Sequence, residues 1–345
     1  MIEGTNIQNT QQNIDFDGPS WVDRQFSNPE RLIRLGTSFS GIGAIEYAFK
    51  RLGLNSQIMF AGDIDANCKK TYFANYNISD EQWHTDIHNF NAKPFKGKID
   101  LFVGGAPCQA FSIVGDQRGF DDTRGTLFRE FARVVKECQP KVFIFENVQG
   151  LFKHDNGRTW DVIRKTFEDY CGYDVHYQLL NARDYGVPQT RERLVVVGHL
   201  GGFIFPGEKS RKVTSGEALG ELAFQIPEDA VFLTKSQDEY IARYEAKSQC
   251  INPRDMHLDK PARTLTCRNL AGGTSDMQRI KLPDGRRRRI TVREAARLQS
   301  FPDWFQFTGS RDSQFTQIGN AVPPLFAFAL ASSVVNYLDE RKNRQ

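Results

Sequence analysis

Segments typical of strands and of helices alternate along the first two-thirds of this chain. We expect strands over these apolar, β-branched or aromatic segments: Leu32–Phe39, Gln57–Gly62, Ile99–Val103, Lys141–Phe145, Tyr173–Leu180 and Arg193–Gly198. Helices are expected between them, over Ala44–Leu52, Asp65–Tyr76, Thr126–Cys138 and Trp160–Tyr170. This alternation predicts an α/β fold with a doubly wound, mostly parallel sheet, in which ligands bind at the carboxyl ends of the strands.

The alternation stops after Gly201-Gly202. Residues 203–285 contain many turn-forming residues and no long periodic helix, so we expect a second, smaller and irregular domain there. A helix is expected after Thr291, with Glu294 completing a capping box, and another after Pro323-Pro324, over Leu325–Leu338. The predicted organisation is a polar N-terminal extension over 1–30, a catalytic domain over 31–200 and 312–342, and a second domain over 201–311.

The distribution of charge is more informative than its sum. The chain has 345 residues and a formal net charge of +3. Between Ile241 and Ser300, however, there are 14 Lys or Arg against 6 Asp or Glu, including the run Arg286-Arg287-Arg288-Arg289. Such a run is usually a solvated face, but beside a catalytic domain it is also what contact with phosphates requires.

The cysteine pattern and the apolar segments exclude several classes of protein. The six cysteines form no Cys-x-x-Cys pair, so we expect neither a metal site nor a disulfide framework. No apolar run approaches the ~18 residues of a membrane span, and the Asn- and Gln-rich N-terminal stretch lacks an apolar signal core. We therefore expect a cytoplasmic protein with no membrane partner, in a compartment that keeps a thiol reduced.

One cysteine follows the predicted strand Ile99–Val103. The strand ends in Gly104-Gly105, and Pro107-Cys108 comes next, followed by a polar loop. Thiolates are strong nucleophiles, and the end of a parallel strand is where open α/β sheets bind ligands. Cys108 is therefore a candidate nucleophile rather than one more buried cysteine.

Five short motifs occur in a characteristic order. They are Phe39-Ser40-Gly41-Ile42-Gly43, Pro107-Cys108-Gln109, Glu146-Asn147-Val148, Gln189-Thr190-Arg191-Glu192-Arg193 and Gly319-Asn320-Ala321-Val322-Pro323-Pro324. With them the chain resembles the cytosine-C5 DNA methyltransferases from about Leu32 to about Leu338, apart from roughly Gly201 to Gly285. The resemblance implies a class I methyltransferase-like (Rossmann-like) catalytic domain and a target-recognition domain over 201–311, variable at about 203–285.

The same resemblance implies S-adenosylmethionine as methyl donor and S-adenosylhomocysteine as product. A carboxylate at Asp63, after the second strand, would accept both ribose hydroxyls, although Glu is more usual there. Ile64 stands where an aromatic residue sometimes stacks on adenine, and Asp86 would accept the adenine amino group. The full set expected at the cofactor is Phe39, Gly41, Gly43, Asp63, Ile64, Asp86, Ile87, Pro107, Leu127, Asn320 and Ala321.

Cytosine C5 is a poor nucleophile, so its methylation needs a thiolate at C6, a group to neutralise N3, and removal of the C5 proton. Cys108 would supply the thiolate and Glu146 would bind the N3/N4 edge. Arg191 and Arg193 lie two apart in a segment expected to be extended, so both would project to one face and serve one site. By resemblance, Arg193 would reach the cytosine O2, and Arg191 would support the thiol loop or contact a phosphate.

The target base must leave the duplex, and the polar loop Ser112–Phe120 is predicted to close as a lid on the DNA. Residues expected to contact DNA are Gln109, Ser112, Val114, Arg118, Arg263, Thr264, Arg268 and Thr274. Thr264-Leu265 resembles a pair found in recognition domains of the family. The leading hypothesis is a monomeric DNA (cytosine-5-)-methyltransferase acting on double-stranded DNA. It would be the modification enzyme of a restriction-modification system, with the cognate endonuclease acting on the same site without direct contact.

Two alternatives remain. The first keeps the chemistry and changes the substrate to tRNA; the modest length of 203–285 and the absence of a Cys-Phe-Thr tripeptide argue against it. The second is a catalytically inactive DNA-binding homologue, against which the intact Cys108, Glu146 and Arg193 argue. Methylation of an exocyclic amine is disfavoured because no Asp/Ser/Asn-Pro-Pro-Tyr/Phe motif is present.

Overall fold

The computed structural model describes residues 31–107, 126–208, 211–248, 254–272 and 276–344. These form two compact units. Of the described residues, the sheet unit contains 31–107, 126–181, 192–208 and 327–344, and the second unit contains 182–191, 211–248, 254–272 and 276–326. The predicted N-terminal extension and the predicted lid over 112–120 lie outside the described residues.

The sheet unit is built on seven strands in the order β3-β2-β1-β4-β5-β7-β6. Their bounds are β1 Ile33–Ser38, β2 Ser56–Gly62, β3 Trp83–His84, β4 Leu101–Gly104, β5 Val142–Val148, β6 Asp174–Asn181 and β7 Glu192–His199. The first five strands in this order run parallel to one another, whereas β7 runs antiparallel to both β5 and β6. The predicted doubly wound, mostly parallel α/β fold is therefore confirmed.

Strand β5 is longer than the sequence indicates. It was expected to end at Phe145, with Glu146 closing it, but it continues to Val148. The reason is tertiary: Glu146, Asn147 and Val148 pair with residues of the antiparallel strand β7. Glu146 thus lies within a strand, where its side chain direction is set by the sheet.

Helices in the sheet unit cover apolar strands that are buried on both faces. Their bounds are α1 Ala44–Arg51, α2 Ala66–Asn75, α3 Leu127–Cys138, α4 Gly150–Lys153 and α5 Arg158–Lys165, which continues as a π-helical turn over Thr166–Cys171. Helix α3 begins at the N-cap Thr126, whose hydroxyl accepts the Arg129 amide. It buries Phe128, Phe131 and Val135 at helical spacing in a cluster that also holds strand residues. This aromatic core fixes the ends of β4 and β5 under the candidate site.

The last helix, α11 Pro324–Arg344, begins at a proline as expected. By length and composition the segment Arg311–Arg341 is apolar enough to cross a membrane, which the sequence analysis did not anticipate. Of its most apolar window, however, 89% is buried inside the protein. Burial of that kind is what a core helix requires.

The second unit contains short helices and a small hairpin. The helices are α6 Ser215–Leu219, α7 Lys235–Ser248, α8 Cys267–Ala271, α9 Val292–Leu298 and α10 Arg311–Asn320, and the hairpin pairs β8 Arg279–Lys281 with β9 Arg287–Arg289. The capping box of Thr291 and Glu294 forms as predicted. One helix within 203–285, α7, spans 14 residues, although the sequence there shows no long periodic helix. Among the described residues of α7, only Ile241 is buried. The helix therefore has almost no apolar stripe that a sequence pattern could reveal.

Candidate functional site

The turn after β1 is bonded directly to the turn after β2. The Ser40 amide donates to the Gly62 carbonyl at 2.9 Å, and the Gly62 amide donates to Ser40 Oγ at 2.9 Å. Gly41 and Gly43 have φ values of 55° and 84°, which an L side chain rarely adopts. Phe39 takes a φ of 55° despite its side chain. The two turns are therefore joined by hydrogen bonds at the carboxyl ends of β1 and β2.

Asp63 joins these two turns through its carboxylate. Oδ2 accepts the Gly41 amide and Oδ1 accepts the Asp65 amide, both at 2.9 Å. Burial raises the pKa of Asp63, while the two amides act in the opposite direction. Each carboxylate oxygen retains a second lone pair, so hydroxyl groups of a ligand can still donate to it. Beside it, the side chain of Ile64 is 77% exposed, an unusual position for a large apolar group next to a polar turn.

The remaining cofactor candidates of the sheet unit also lie beyond strand ends or against the core. Asp86 follows β3 and caps a 3₁₀ turn, where the amide and ring of His88 lower the pKa of Asp86 by hydrogen bonding. Ile87 is buried, Leu127 packs partly buried against the core, and Pro107 is exposed after β4. The carboxyl ends of the four strands β1 to β4 therefore each contribute a candidate residue.

A buried polar network lies under the turn after β1, and the sequence analysis did not predict it. Ser40 Oγ lies 2.7 Å from Thr37 Oγ1, which donates to Glu46 Oε1 at 2.7 Å. The Tyr72 hydroxyl donates to the same oxygen at 2.9 Å. Burial raises the pKa of Glu46. The sequence held one signal for this network, because Glu46 occupies a position on the buried face of α1, where an apolar residue is expected.

Glu146 and Arg193 form an ion pair across the β5–β7 ladder. Arg193 Nε lies 2.8 Å from Glu146 Oε1, and both side chains are mostly buried. A Cβ added at Gly105 would meet the Glu146 carbonyl oxygen at 2.8 Å and Oε2 at 3.2 Å, so glycine is required for this close approach. The side-chain amide of Asn147 donates from Nδ2 to the Ala106 carbonyl at 2.9 Å. The segment that leads to Cys108 is therefore in contact with the Glu146 motif at Gly105 and Ala106.

Arg191 has partners different from those of Arg193. It precedes β7, and its guanidinium donates to the carbonyl oxygens of Leu265, Gly319 and Ala321 at 2.7 to 3.1 Å. Its side chain is buried. The expectation that both arginines project from one extended strand is corrected here, and a phosphate contact for Arg191 does not fit its burial. Support of the thiol loop by Arg191 concerns residues outside those described.

Two buried glutamines join distant motifs of the second unit. Gln189 Oε1 accepts the Leu265 amide at 2.8 Å, and its Nε2 donates to Gln299 Oε1. Gln299 in turn donates to the carbonyl oxygens of Ile318 and Ala321 at 2.9 and 2.7 Å. This network fixes the backbone on either side of Asn320, whose side chain is exposed. The cofactor roles of Asn320 and Ala321 remain predictions.

The candidate recognition residues have mixed surroundings. Arg263 pairs with Asp276 at 3.1 Å and is partly exposed, whereas Arg268 is exposed. The Thr264 hydroxyl donates to the Thr190 carbonyl at 2.7 Å, which commits that donor to the backbone. Their contacts with DNA remain predictions.

The four consecutive arginines do not form a solvated basic face. Arg288 is fully buried and binds both oxygens of Glu294 at 2.7 and 2.8 Å. Arg287 pairs with Asp255 and Asp238, and its side chain is 18% exposed. The expectation that this run faces DNA phosphates is therefore wrong for Arg287 and Arg288, because carboxylates brought by other segments neutralise them.

Six candidate site residues lie outside the described residues: Cys108, Gln109, Ser112, Val114, Arg118 and Thr274. Among the residues that the structure does describe, no group of three or more His, Cys, Asp or Glu is placed to hold a metal ion. Cys68, Cys138 and Cys171 are buried and free, and Cys267 is exposed and free.

Comparisons with known proteins identify the family of the chain. The family model for C-5 cytosine-specific DNA methylase matches residues 34–336. The chain is 44% identical over 308 residues to Type II methyltransferase M.AplI of Arthrospira platensis, covering 89% of this chain and 86% of that protein. It is 33% identical over 343 residues to Type II methyltransferase M.Eco47II of Escherichia coli, covering 89% and 79%.

The fold has solved counterparts as well. The crystal structure of S. pombe Dnmt2 methyltransferase matches with a TM-score of 0.69 at 18% identity, covering 90% of this chain and all of that one. At that identity the likeness concerns the fold alone. Because the family model matches residues 34–336, which is most of the chain, the chain belongs to the C-5 cytosine-specific DNA methylase family.

Proposed function

We propose that this chain transfers a methyl group from S-adenosylmethionine to C5 of one cytosine within a specific sequence of double-stranded DNA. The observation that supports it best is the Glu146–Arg193 pair, which lies against Gly105, three residues before Cys108. A carboxylate fixed by a guanidinium next to a thiol-bearing segment is what addition to a pyrimidine ring requires.

The chain's residues divide the reaction among them. The thiolate of Cys108 bonds to C6 of the extruded cytosine, the C5=C6 electron pair moves into the C4–C5 bond, and the C4=N3 pair moves onto N3. N3 takes a proton from the carboxylic acid form of Glu146, which takes this proton back when the thiolate is eliminated. C5 then takes the methyl group that the bound sulfonium cofactor supplies. Loss of the C5 proton to a base lets the C6–sulfur bond break and returns the thiolate. Arg193 keeps the Glu146 carboxylate oriented toward the N3/N4 edge and reaches the cytosine O2.

The residues at the strand ends fit the cofactor. The fixed Asp63 carboxylate would accept the ribose hydroxyls, exposed Ile64 would cover one adenine face, and Asp86 would accept the adenine amino group. The left-handed Gly41, where an added Cβ would meet nothing within 4 Å, would allow the backbone to approach the methionine part. Asn320 and Ala321 would complete the site.

We further infer that this enzyme is the modification component of a restriction-modification system, because the two relatives described above are Type II methyltransferases. It would act as a cytoplasmic monomer, with a cognate endonuclease cutting the same sequence independently. Catalysis is assigned to 31–200 and 312–342, and target recognition to 201–311. Replacing Phe203–Gly285 by the equivalent stretch of a relative should change the methylated sequence and leave the reaction unchanged. A folded chimaera that still modifies the original site would contradict this assignment.

A fluorine substitution at the target C5 tests the reaction itself. Bisulfite sequencing of DNA from cells expressing the protein first locates the target cytosine. A duplex with 5-fluorocytosine at that position should then trap the enzyme covalently, because fluorine does not leave as a cation and the thiolate cannot be eliminated. The adduct should survive denaturing electrophoresis, need S-adenosylmethionine, and vanish in Cys108→Ser.

The two alternatives give different outcomes in this experiment. Turnover on the fluorinated duplex without trapping would contradict the thiol mechanism. Trapping on a fluorinated tRNA but not on the duplex would assign the chemistry to RNA. No adduct and no methylation on either substrate would identify an inactive binding homologue.

A further inference from the structure

Helix α7 packs against the rest of the second unit through one of its faces. On that face Ile241 is buried, Asp238 pairs with Arg287 at 3.1 Å, and Glu245 lies 3.4 Å from Arg279. These three helix residues are spaced by three and four positions and therefore line one side of the helix. Two of the helix's carboxylates are thus neutralised internally.

The opposite face of α7 presents aromatic and basic side chains to solvent. Tyr240, Arg243, Tyr244 and Lys247 are all exposed. Their spacing places Arg243 and Lys247 opposite the Ile241 face, with Tyr240 and Tyr244 along one flank of the helix. The Tyr240 and Tyr244 rings stack with centroids 6.5 Å apart. Glu239 is an exposed carboxylate at the edge of this face, so the face carries a net positive charge.

This face continues toward a residue already expected to contact DNA. The Arg254 guanidinium lies over the Tyr244 ring, 5.5 Å from its centroid, and donates to Asp276 Oδ1 at 3.0 Å. Arg263 donates to the same oxygen at 3.1 Å. Two guanidinium groups therefore share the Asp276 carboxylate beside α7.

We propose that the α7 surface, formed by Tyr240, Arg243, Tyr244, Lys247 and Arg254, binds phosphates of the DNA duplex beside the target sequence. This inference rests on the proposed function, because it takes duplex DNA as the substrate. The chemistry fits because lysine, arginine and tyrosine hydroxyl groups are donors for phosphate oxygens, and such contacts position the protein without reading bases. The basic run Arg286–Arg289 cannot take this role as a unit, because Arg287 and Arg288 are neutralised inside the fold.

The test compares two charge-neutralising double variants of the full chain. Arg243→Gln with Lys247→Gln removes two cations from α7, and glutamine preserves helix propensity. The control, Lys96→Gln with Lys98→Gln, removes two exposed cations just before the amino end of β4. This end of the sheet is opposite the turns that follow β1 and β2. Affinity for a fluorescent duplex containing the mapped site, and for one lacking it, is measured by anisotropy across a salt series.

We expect the α7 variant to bind both duplexes more weakly, and to the same extent. The slope of log K against log salt should become shallower by about 1.8, because each lost phosphate contact removes about 0.9. The Lys96/Lys98 variant should keep the wild-type slope. Exchanging the charges in kind, with Arg243→Lys and Lys247→Arg, should restore the slope and so separate charge from folding.

A slope in the α7 variant equal to that of wild type, with wild type methylating duplex DNA, would overturn this inference and leave the proposed function intact. An equal loss in the Lys96/Lys98 variant would also overturn it, because the effect would then be one of net charge. If wild type neither binds nor methylates the duplex, the proposed function itself fails. Loss of affinity for one duplex only would point to base reading rather than phosphate contact and would contradict the proposal.

Discussion

Arg193 and Glu146 lie on neighbouring antiparallel strands, offset by one diagonal step of the ladder, and their side chains meet at 2.8 Å. Val148 is the register partner of Arg193, and Val195 is that of Glu146. Diagonal neighbours on one face are within reach of long side chains. The pair therefore depends on the sheet register, and a slip of one residue would send the two groups to opposite faces.

This geometry predicts strong coupling between the two residues in catalysis. Glu146→Gln and Arg193→Met should each lower the single-turnover rate, and the double variant should lose less than the product of the two effects. Groups in one ion-pair network couple by about 0.5–3 kcal/mol, so a shortfall of roughly tenfold is expected. Arg164→Met removes a partly exposed arginine paired with Glu168 and should leave the rate unchanged. Rate effects that simply multiply would show that the pair does not act as a unit.

An aromatic residue at position 64 should improve cofactor binding. Ile64 is 77% exposed beside Asp63, and a flat ring there would stack on adenine better than a branched aliphatic chain. Stacking of a base on an aromatic side chain is worth about 1–3 kcal/mol relative to alanine, so Ile64→Trp should gain roughly fivefold in affinity over isoleucine. Calorimetry with S-adenosylhomocysteine measures it. Ile204, which is 72% exposed, provides the control Ile204→Trp, and an equal gain there would mean nonspecific binding.

His84 should make the protein sensitive to mild acid. Burial lowers the pKa of His84 to about 4, from an ordinary value of 6.5. Below pH 6.5 the unfolded chain takes up a proton that the folded chain does not, so this contribution is complete above 6.5 and is lost as the pH falls toward 4. The free energy of unfolding should drop by about 2 kcal/mol more between pH 7.5 and 5 in wild type than in His84→Gln.

Urea denaturation at the two pH values measures this difference. Glutamine can still bond to the Ser38 hydroxyl, which lies 3.1 Å from His84 Nε2, but does not titrate. Parallel losses in wild type and variant would remove His84 as the cause. Such a result would assign the acid sensitivity to carboxylates.

Two arginines of one sequence run should differ widely in their effect on stability. Arg288 forms a buried two-point ion pair with Glu294, so Arg288→Gln leaves an uncompensated buried charge and should cost about 3–5 kcal/mol. Arg286 pairs with Asp284 at the surface, so Arg286→Gln should change the free energy of unfolding by less than about 0.5 kcal/mol. Equal effects in urea denaturation would contradict the structural difference between them.

Local patterns in the sequence predicted the elements that depend on near neighbours. The strand at β4, the turn glycines after β1 and the capping box at Thr291 and Glu294 all follow from residues within a few positions of one another. The order of strand ends along the chain also placed Asp63 and Asp86 at one edge of a parallel sheet, where the structure has them. Helix α7 escaped detection because Ile241 alone among its described residues is buried, and ion pairs of Asp238 and Glu245 take the place of an apolar stripe.

Pairing between distant segments required the tertiary structure. The sequence shows four adjacent arginines, but Asp238, Asp255 and Glu294 decide which of them are neutralised. It likewise shows Arg191 and Arg193 two positions apart, and only the fold gives one to backbone carbonyls and the other to Glu146. The sequence by itself therefore determined the family, the sheet and the candidate residues, since these follow from local order and spacing. The tertiary structure decided the partner of each charge, because a charge is neutralised by whichever group the fold brings within a few ångströms.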